Sequence, residues 1–306
     1  MDAYSTDRAD IPYGDQRPVL IAASSARALK CARPSIEALG ARIGASLSVA
    51  EAVERIRHQP AASAVWVELD EDGGEAMDEL LRIIRRDAFD ERYAAIVSTT
   101  RALIDPIEAI VGASPVQVVV EPNDADRVAA FALAASQLVE SLRVNDVASD
   151  RNAERLRQLS DEVSRIAATL ARLSTGPGAA PRVIHEALTT EAPPISAEMI
   201  RSIIRARRLR ARYFEEDLFA DPAWDMLLDL LQAEISHLRV PVSSLCIAAA
   251  VPATTALRWL KTMVSKGLFI RRADPHDGRR VFVELAPEAS RALRNYFADV
   301  GQAAMI

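Results

Sequence analysis

The chain has 306 residues, of which half are hydrophobic and 5% aromatic, and its formal net charge is −6. This length predicts about two domains of ordinary size, with enough apolar residues to build packed cores. No apolar run approaches the roughly 18 residues of a membrane span, and the polar first twenty residues do not resemble a signal peptide. We therefore expect a cytoplasmic protein that contacts no membrane, with Cys31 and Cys246 as free thiols.

The charge is unevenly distributed along the chain. Residues 196–306 carry 16 Lys and Arg against 13 Asp and Glu, whereas the rest of the chain carries 21 against 30. An acidic first part and a mildly basic second part suggest two separate roles. Within residues 196–306 the basic charge is further concentrated in Arg258, Lys261, Lys266, Arg271, Arg272, Arg279 and Arg280.

After a polar segment, residues 1–16, that we expect to be disordered, short apolar runs alternate with amphipathic stretches through residues 17–140. The apolar runs are Val19–Ala23, Ala41–Ala45, Ala64–Leu69, Ala94–Ser98 and Val116–Val120. Five β-α units of this length predict an α/β domain, with a parallel sheet covered by helices on both faces. The predicted fold class is thus α/β plus α+β: a receiver-like (flavodoxin-like) sheet, a long connecting helix and a C-terminal domain.

The layout of this first domain resembles the receiver of a response regulator, but its chemistry does not. Phosphoryl acceptance requires an acid pair for Mg²⁺, an acceptor Asp and a cation that senses the phosphate. Here Ser24 and Ser25 replace the acid pair, Asp70 lies near the acceptor position, and Glu121 replaces the lysine. We interpret the domain as a degenerate receiver that dimerises or contacts a protein partner and is not phosphorylated.

A heptad pattern in residues 141–174 predicts a dimerisation helix. Six apolar residues are spaced alternately three and four apart, as in the seam of a two-stranded coiled coil. The alternative is an amphipathic helix that folds against its own domain. Residues 175–195, which contain the sequence Gly-Pro-Gly from Gly176, are predicted to be a linker. The seam residues are Leu156, Leu159, Val163, Ile166, Leu170 and Leu173.

Residues 196–306 contain the pattern of a helix-turn-helix. Ser196 is a plausible N-cap for a helix to Glu216, and Asp221 with Pro222 opens a second helix, Ala223–Leu238. A short helix, Val242–Ala250, then precedes the helix Ala253–Lys266, which Pro252 opens and Gly267 ends. Two short helices joined by a tight turn are typical of DNA-binding domains.

Two β-like runs follow, Leu268–Arg272 and Arg280–Leu285, joined by a turn-rich tip. Together they predict a β-hairpin wing. The run GLFIRRADPHDGRRVFVEL, with Asp274, Asp277 and Arg279 in a D-x-x-D-x-R pattern, resembles the winged helix of the MarR family of bacterial transcription regulators. The resemblance covers roughly 80 residues and implies a recognition helix at 252–266 and a wing at 268–285 beside it. The chain departs from that family in having only one short helix after the wing.

The implied mechanism is readout of the DNA major groove by the recognition helix, with the wing on the backbone or minor groove. We expect Ala256, Trp259 or Leu260, Met263 and Val264 to face the core. The alternative is that Arg258 and Lys261 belong to an ordinary solvated face. The residues predicted to contact DNA are Thr254, Thr255, Arg258, Lys261, Thr262, Arg271, Arg272, Arg279 and Arg280.

The most plausible function is therefore that of a DNA-binding transcriptional regulator that acts as a homodimer on double-stranded DNA. We find no phosphate-binding loop, no dinucleotide fingerprint and no metal-ligand spacing, and we expect no catalytic residues, no metal and no cofactor. An adaptor that uses the winged helix as a scaffold for protein contacts is the alternative. A ligand-sensing repressor would need a closed apolar pocket, which short terminal helices make hard to build.

Overall fold

The first part of the chain forms a five-stranded parallel sheet, so the flavodoxin-like prediction is confirmed. The computed structural model describes residues 17–38, 40–58, 61–146 and 195–300. The strand order is β2-β1-β3-β4-β5, which is one of the two common doubly wound orders. The strands are β1 (Val19–Ala23), β2 (Ile43–Ser48), β3 (Ala64–Leu69), β4 (Ala94–Thr99) and β5 (Gln117–Val120).

Helices cover both faces of this sheet. α1 and α5 pack on one face, around Trp66, and α2, α3 and α4 pack on the other. The strand that we placed at Ala41–Ala45 begins two residues later, because β2 is an edge strand whose partly exposed residues do not form a continuous apolar run. The helices are α1 (Ala26–Ala38), α2 (Val49–Arg57), α3 (Gly74–Phe89), α4 (Ile104–Val111) and α5 (Asp124–Asp146).

A buried ion pair ties α5 to the centre of the sheet. Arg127 donates to the carboxylate of Glu68 at 2.7 Å, and the indole N–H of Trp66 donates to the same carboxylate at 2.8 Å. Burial lowers the pKa of Arg127, but its bond to Glu68 outweighs that effect and the pKa is raised. Both charges are almost completely removed from water, so each depends on the other for compensation.

The last part of the chain is a winged helix-turn-helix. Its three-stranded antiparallel sheet has the order β6-β8-β7. The two-residue strand β6 was not predicted, because it is too short to form a pattern. The elements are α6 (Ala197–Leu209), α7 (Pro222–Ile235), β6 (Val240–Pro241), α8 (Val242–Ala248), α9 (Ala253–Ser265), β7 (Phe269–Ala273), β8 (Val281–Leu285) and α10 (Pro287–Val300).

The helix predicted from Ser196 to Glu216 ends earlier, at Leu209, and short 3₁₀ turns follow it. Several arginines crowd the end of this helix, and like charges at helical spacing oppose its continuation. The predicted caps are present: Asp221 accepts from the N–H of Trp224 at 3.1 Å, and Gly267 has a φ of 71°.

The chain divides into two compact units, one of residues 1–138 and 195–306 and the other of residues 139–194. Within the first unit we call residues 17–138 the sheet lobe and residues 195–300 the winged-helix lobe. The predicted seam, Leu156 to Leu173, lies outside the described residues, as do residues 1–16 and most of the predicted linker.

Among the described helices, no single one is long and apolar enough to cross a membrane, although α8 and α9 pass that test as a bent pair, by length and composition only.

Replacing Glu68 by Ala should leave the charge of Arg127 buried without a partner, so we expect the free energy of unfolding to fall by about 3–5 kcal/mol. The control is Glu37→Ala, which removes one carboxylate from an exposed pair with Arg33 and should cost about 1 kcal/mol or less. Urea unfolding followed by circular dichroism measures both. Equal losses in the two variants would contradict the structural role of the Glu68–Arg127 pair.

Candidate nucleic-acid interface

The helix-turn-helix has the geometry that DNA-binding domains use. The axes of α8 and α9 bend by 108° across a short turn, within the range of about 90–120° for this motif. In the turn Ala250 has a φ of 52°, a conformation that usually favours glycine. Pro252 then starts α9 and its carbonyl accepts from the N–H of Ala256 at 3.0 Å. The turn thereby directs α9 away from α8.

One side of α9 belongs to the core of the winged-helix lobe. Its buried residues are Ala256, Leu257, Leu260 and Met263. Of the two alternatives Trp259 and Leu260, Leu260 is the one in the core, whereas Trp259 is 39% exposed, because it lies just outside the arc of the helix that the four buried residues occupy. Val264 is only partly buried. The outward surface of α9 thus includes an aromatic ring.

Five of the nine residues predicted to contact DNA are exposed. On α9, the Thr262 hydroxyl donates to the carbonyl of Arg258 at 3.0 Å. In the wing, Arg272 pairs with Glu284 on the neighbouring strand. The exposed Arg272–Glu284 pair costs little to break, so Arg272 is available to a ligand. The five exposed residues are Thr255, Arg258, Thr262, Arg272 and Arg280.

The two acidic residues of the D-x-x-D-x-R pattern build the tip of the wing. Asp274 accepts from the N–H of His276 and Asp277 from the N–H of Arg279, both at 2.9 Å. Such contacts to the backbone two residues ahead are the mechanism of an Asx turn. The carboxylate of Asp277 also lies 3.2 Å from Arg280. The pattern therefore has a structural role that does not depend on a ligand.

The remaining four predicted contacts, Thr254, Lys261, Arg271 and Arg279, touch the sheet lobe. The hydroxyl of Thr254 accepts from the N–H of Val120 at 2.8 Å. Lys261 donates to the carbonyl of Val116 at 2.6 Å and to that of Ser114 at 3.3 Å. Burial lowers the pKa of Lys261, although the negative charge of Glu108 opposes this effect. One flank of α9 is thus bound to β5 and the loop before it.

Arg271 reaches from the wing to α4. It donates to Glu108 at 2.8 Å, and the side chains of the pair are only 12% and 0% exposed. The residue at position 112 makes room for this contact, because a Cβ added at Gly112 would overlap both the guanidinium and the carboxylate. Position 112 therefore requires glycine as long as Arg271 and Glu108 are paired.

Two further contacts flank this pair. Arg279 donates to Asp72 at 2.8 Å and lies 3.4 Å from Asp78. The hydrogen bond from Arg279 lowers the pKa of Asp72. Asp105 accepts from both the N–H and the hydroxyl of Ser243, near the start of α8. In these three carboxylate contacts, those of Glu108, Asp72 and Asp105, the sheet lobe supplies the acceptor and the winged-helix lobe the donor, in agreement with the uneven charge of the sequence.

At the carboxyl end of the parallel strands, two serine side chains hold Asp70. It accepts from the hydroxyls of Ser24 and Ser25 at 2.7 and 2.8 Å. Burial raises its pKa, but these bonds outweigh that effect and the pKa is lowered. Glu121 pairs with Arg101 at 2.9 Å. Among the described residues, no group of three or more His, Cys, Asp or Glu could hold a metal ion.

A cavity of about 510 Å³ lies where α4 faces the turn between α8 and α9. Cys246 lines it but is only 4% exposed. Burial and the nearby charges of Glu108 and Asp105 raise the pKa of this thiol to about 12. Cys31 on α1, in contrast, is exposed. The two cysteines therefore differ in access.

No family model and no curated protein matches the chain. A solved structure, that of transcriptional regulator Tm0710 from Thermotoga maritima, is similar over 34% of this chain and 80% of its own length. The identity is 19% and the TM-score is 0.20.

A thiol-reactive probe should distinguish the two cysteines. We expect the native protein to react rapidly at Cys31 and slowly at Cys246, since the thiolate is the nucleophile and burial opposes its formation. Mass spectrometry of digested protein after timed labelling at pH 8 gives the two rates. Labelling in denaturant is the control and should bring both rates together. Equal rates at the two cysteines in the native protein would contradict the burial of Cys246 on α8.

Proposed function

We propose that the protein is a DNA-binding transcriptional regulator in which α9 enters the major groove and the β7–β8 wing contacts the backbone or minor groove. The observation that carries the proposal is the 108° helix pair followed by a hairpin, with hydroxyl and guanidinium groups exposed on α9. This combination is what major-groove readout requires, because the helix must project while its other side remains in the core.

Arg258 is the residue best placed to read a base. Its guanidinium can contact guanine with two hydrogen bonds, a contact worth about 1–3 kcal/mol of discrimination. Thr255 and Thr262 flank it with hydroxyls that can bind base edges or phosphates. Arg272 and Arg280 lie on the wing and would contact the backbone, which fixes orientation and carries no sequence information directly.

The proposal also includes a homodimer, formed through the predicted seam between Leu156 and Leu173, on double-stranded DNA. The sheet lobe then serves dimerisation or contact with a protein partner. The surroundings of Asp70 and the negative charge of Glu121 favour this role over phosphorylation. No catalytic step, metal or cofactor is part of this function, and the expected location is the cytoplasm.

An adaptor role is the second candidate, and one observation favours it: Thr254, Lys261, Arg271 and Arg279 already contact protein groups. In that role the winged helix would be a scaffold. The salt dependence of duplex binding distinguishes a regulator from an adaptor. The affinity of a DNA-binding protein falls steeply as the salt concentration rises, in proportion to the number of phosphates contacted. An adaptor would bind duplexes weakly and without such a slope.

Arg258→Ala should abolish the preference for a specific duplex, whereas Arg280→Ala should weaken binding to all duplexes alike. The reason is that base contacts discriminate and phosphate contacts do not. Mobility shifts on a selected duplex and its scrambled counterpart measure both effects. Arg33→Ala is the matched control, since it removes one arginine from α1, on the opposite face of the sheet lobe from α4. If both wing and helix variants bound like the parent, the assigned face would be wrong.

A further inference from the structure

We propose that the sheet lobe is an intramolecular inhibitor, which holds the flank of α9 and the wing in a closed state that excludes DNA. This inference rests on the proposed function and adds a regulatory contact to it. The contact surface is the segment from Asp105 to Val120, together with Asp72 and Asp78.

The first reason is steric. A helix with its side chains is about 10–12 Å across, and the major groove is about 12 Å wide, so the groove walls enclose a recognition helix on both flanks. In the closed state the N–H of Val120 and the carbonyl of Val116 lie within hydrogen-bond distance of Thr254 and Lys261. Strand β5 thus occupies the space of one groove wall, and the lobes must separate before α9 can enter.

The second reason is chemical competition. Lys261, Arg271 and Arg279 donate to carbonyl and carboxylate oxygens of the sheet lobe. These are the same donors that would otherwise bind phosphate oxygens, and each is engaged in the closed state. The sheet lobe therefore presents oxygen acceptors to a basic surface, as DNA does.

The third reason is that several buried polar atoms at the contact between the lobes lack a hydrogen-bond partner in the closed state. Five atoms of the contact have no hydrogen-bond partner among the described residues: Oε1 of Glu108, Nε and Nη2 of Arg271, Oδ1 of Asp78 and Nε of Arg279. Buried polar atoms left in this state retain much of their desolvation cost. The contact is therefore suited to open when a competing ligand offers those groups better partners.

The test compares Glu108→Ala with Glu37→Ala in the full chain. Both variants remove one negative charge, but only Glu108 touches the winged-helix lobe. A fluorescent duplex of about 30 base pairs and mixed sequence serves as the probe, and anisotropy measures its affinity. If closure reduces the fraction of binding-competent molecules, opening must raise the apparent affinity by the same factor. We expect Glu108→Ala to bind at least about tenfold tighter than the parent, and Glu37→Ala to bind like the parent.

Asp105→Ala is a second opening variant, which removes the contact to Ser243 without stranding a buried arginine. It should also tighten binding, and both opening variants should retain native circular dichroism. If Glu108→Ala loses the native circular dichroism spectrum, the duplex affinity of Asp105→Ala alone tests the inhibitory contact. Opening variants that bind the duplex no better than the parent would overturn the inhibitory contact but leave the proposed function intact. If neither the parent nor an opening variant bound any duplex, the proposed function would fail as well.

Discussion

The buried pair between Glu108 and Arg271 is the contact on which the closed arrangement depends. In this arrangement neither charge is accessible enough for water to compensate it, so each is compensated by the other. Gly112 leaves the space that the pair needs. The same short segment, from α4 to the end of β5, also binds Ser243, Lys261 and Thr254. A single stretch of the sheet lobe thus contacts α8, α9 and the wing.

The polar groups at the carboxyl end of the parallel strands are satisfied within the sheet lobe itself. Ser24 and Ser25 donate to the carboxylate of Asp70, and Glu121 pairs with Arg101. The contacts to α8, α9 and the wing come instead mainly from α4, β5 and the loop between them. We propose this surface as the inhibitory one. Control of the protein then depends on what separates that surface from the winged-helix lobe.

The sequence predicted those elements whose signals are local. β1 is a continuous apolar run and β3 is interrupted only by Glu68, Asp221 and Gly267 are caps with specific chemistry, and all four features appear in the structure at the predicted places. The sequence did not reveal the burial of Lys261 or the pairing of Arg271. Their partners are 145 and 163 residues away along the chain, and no helical or strand periodicity encodes a contact at that separation. The position of Lys261 in the helical pattern is the same whether its side chain binds β5 or faces DNA, so the sequence cannot distinguish the two.

The most direct test of the closed state is amide hydrogen exchange of the full chain with and without a DNA duplex. The N–H of Val120 donates to Thr254 and reports the contact between β5 and α9, whereas amides of β1, which lies between β2 and β3 in the sheet, serve as the internal reference. If DNA must replace the sheet lobe, saturating duplex should accelerate exchange at Val120 and leave β1 unchanged. Continued protection of Val120 in a chain that has bound DNA would contradict the closed state as an inhibitor.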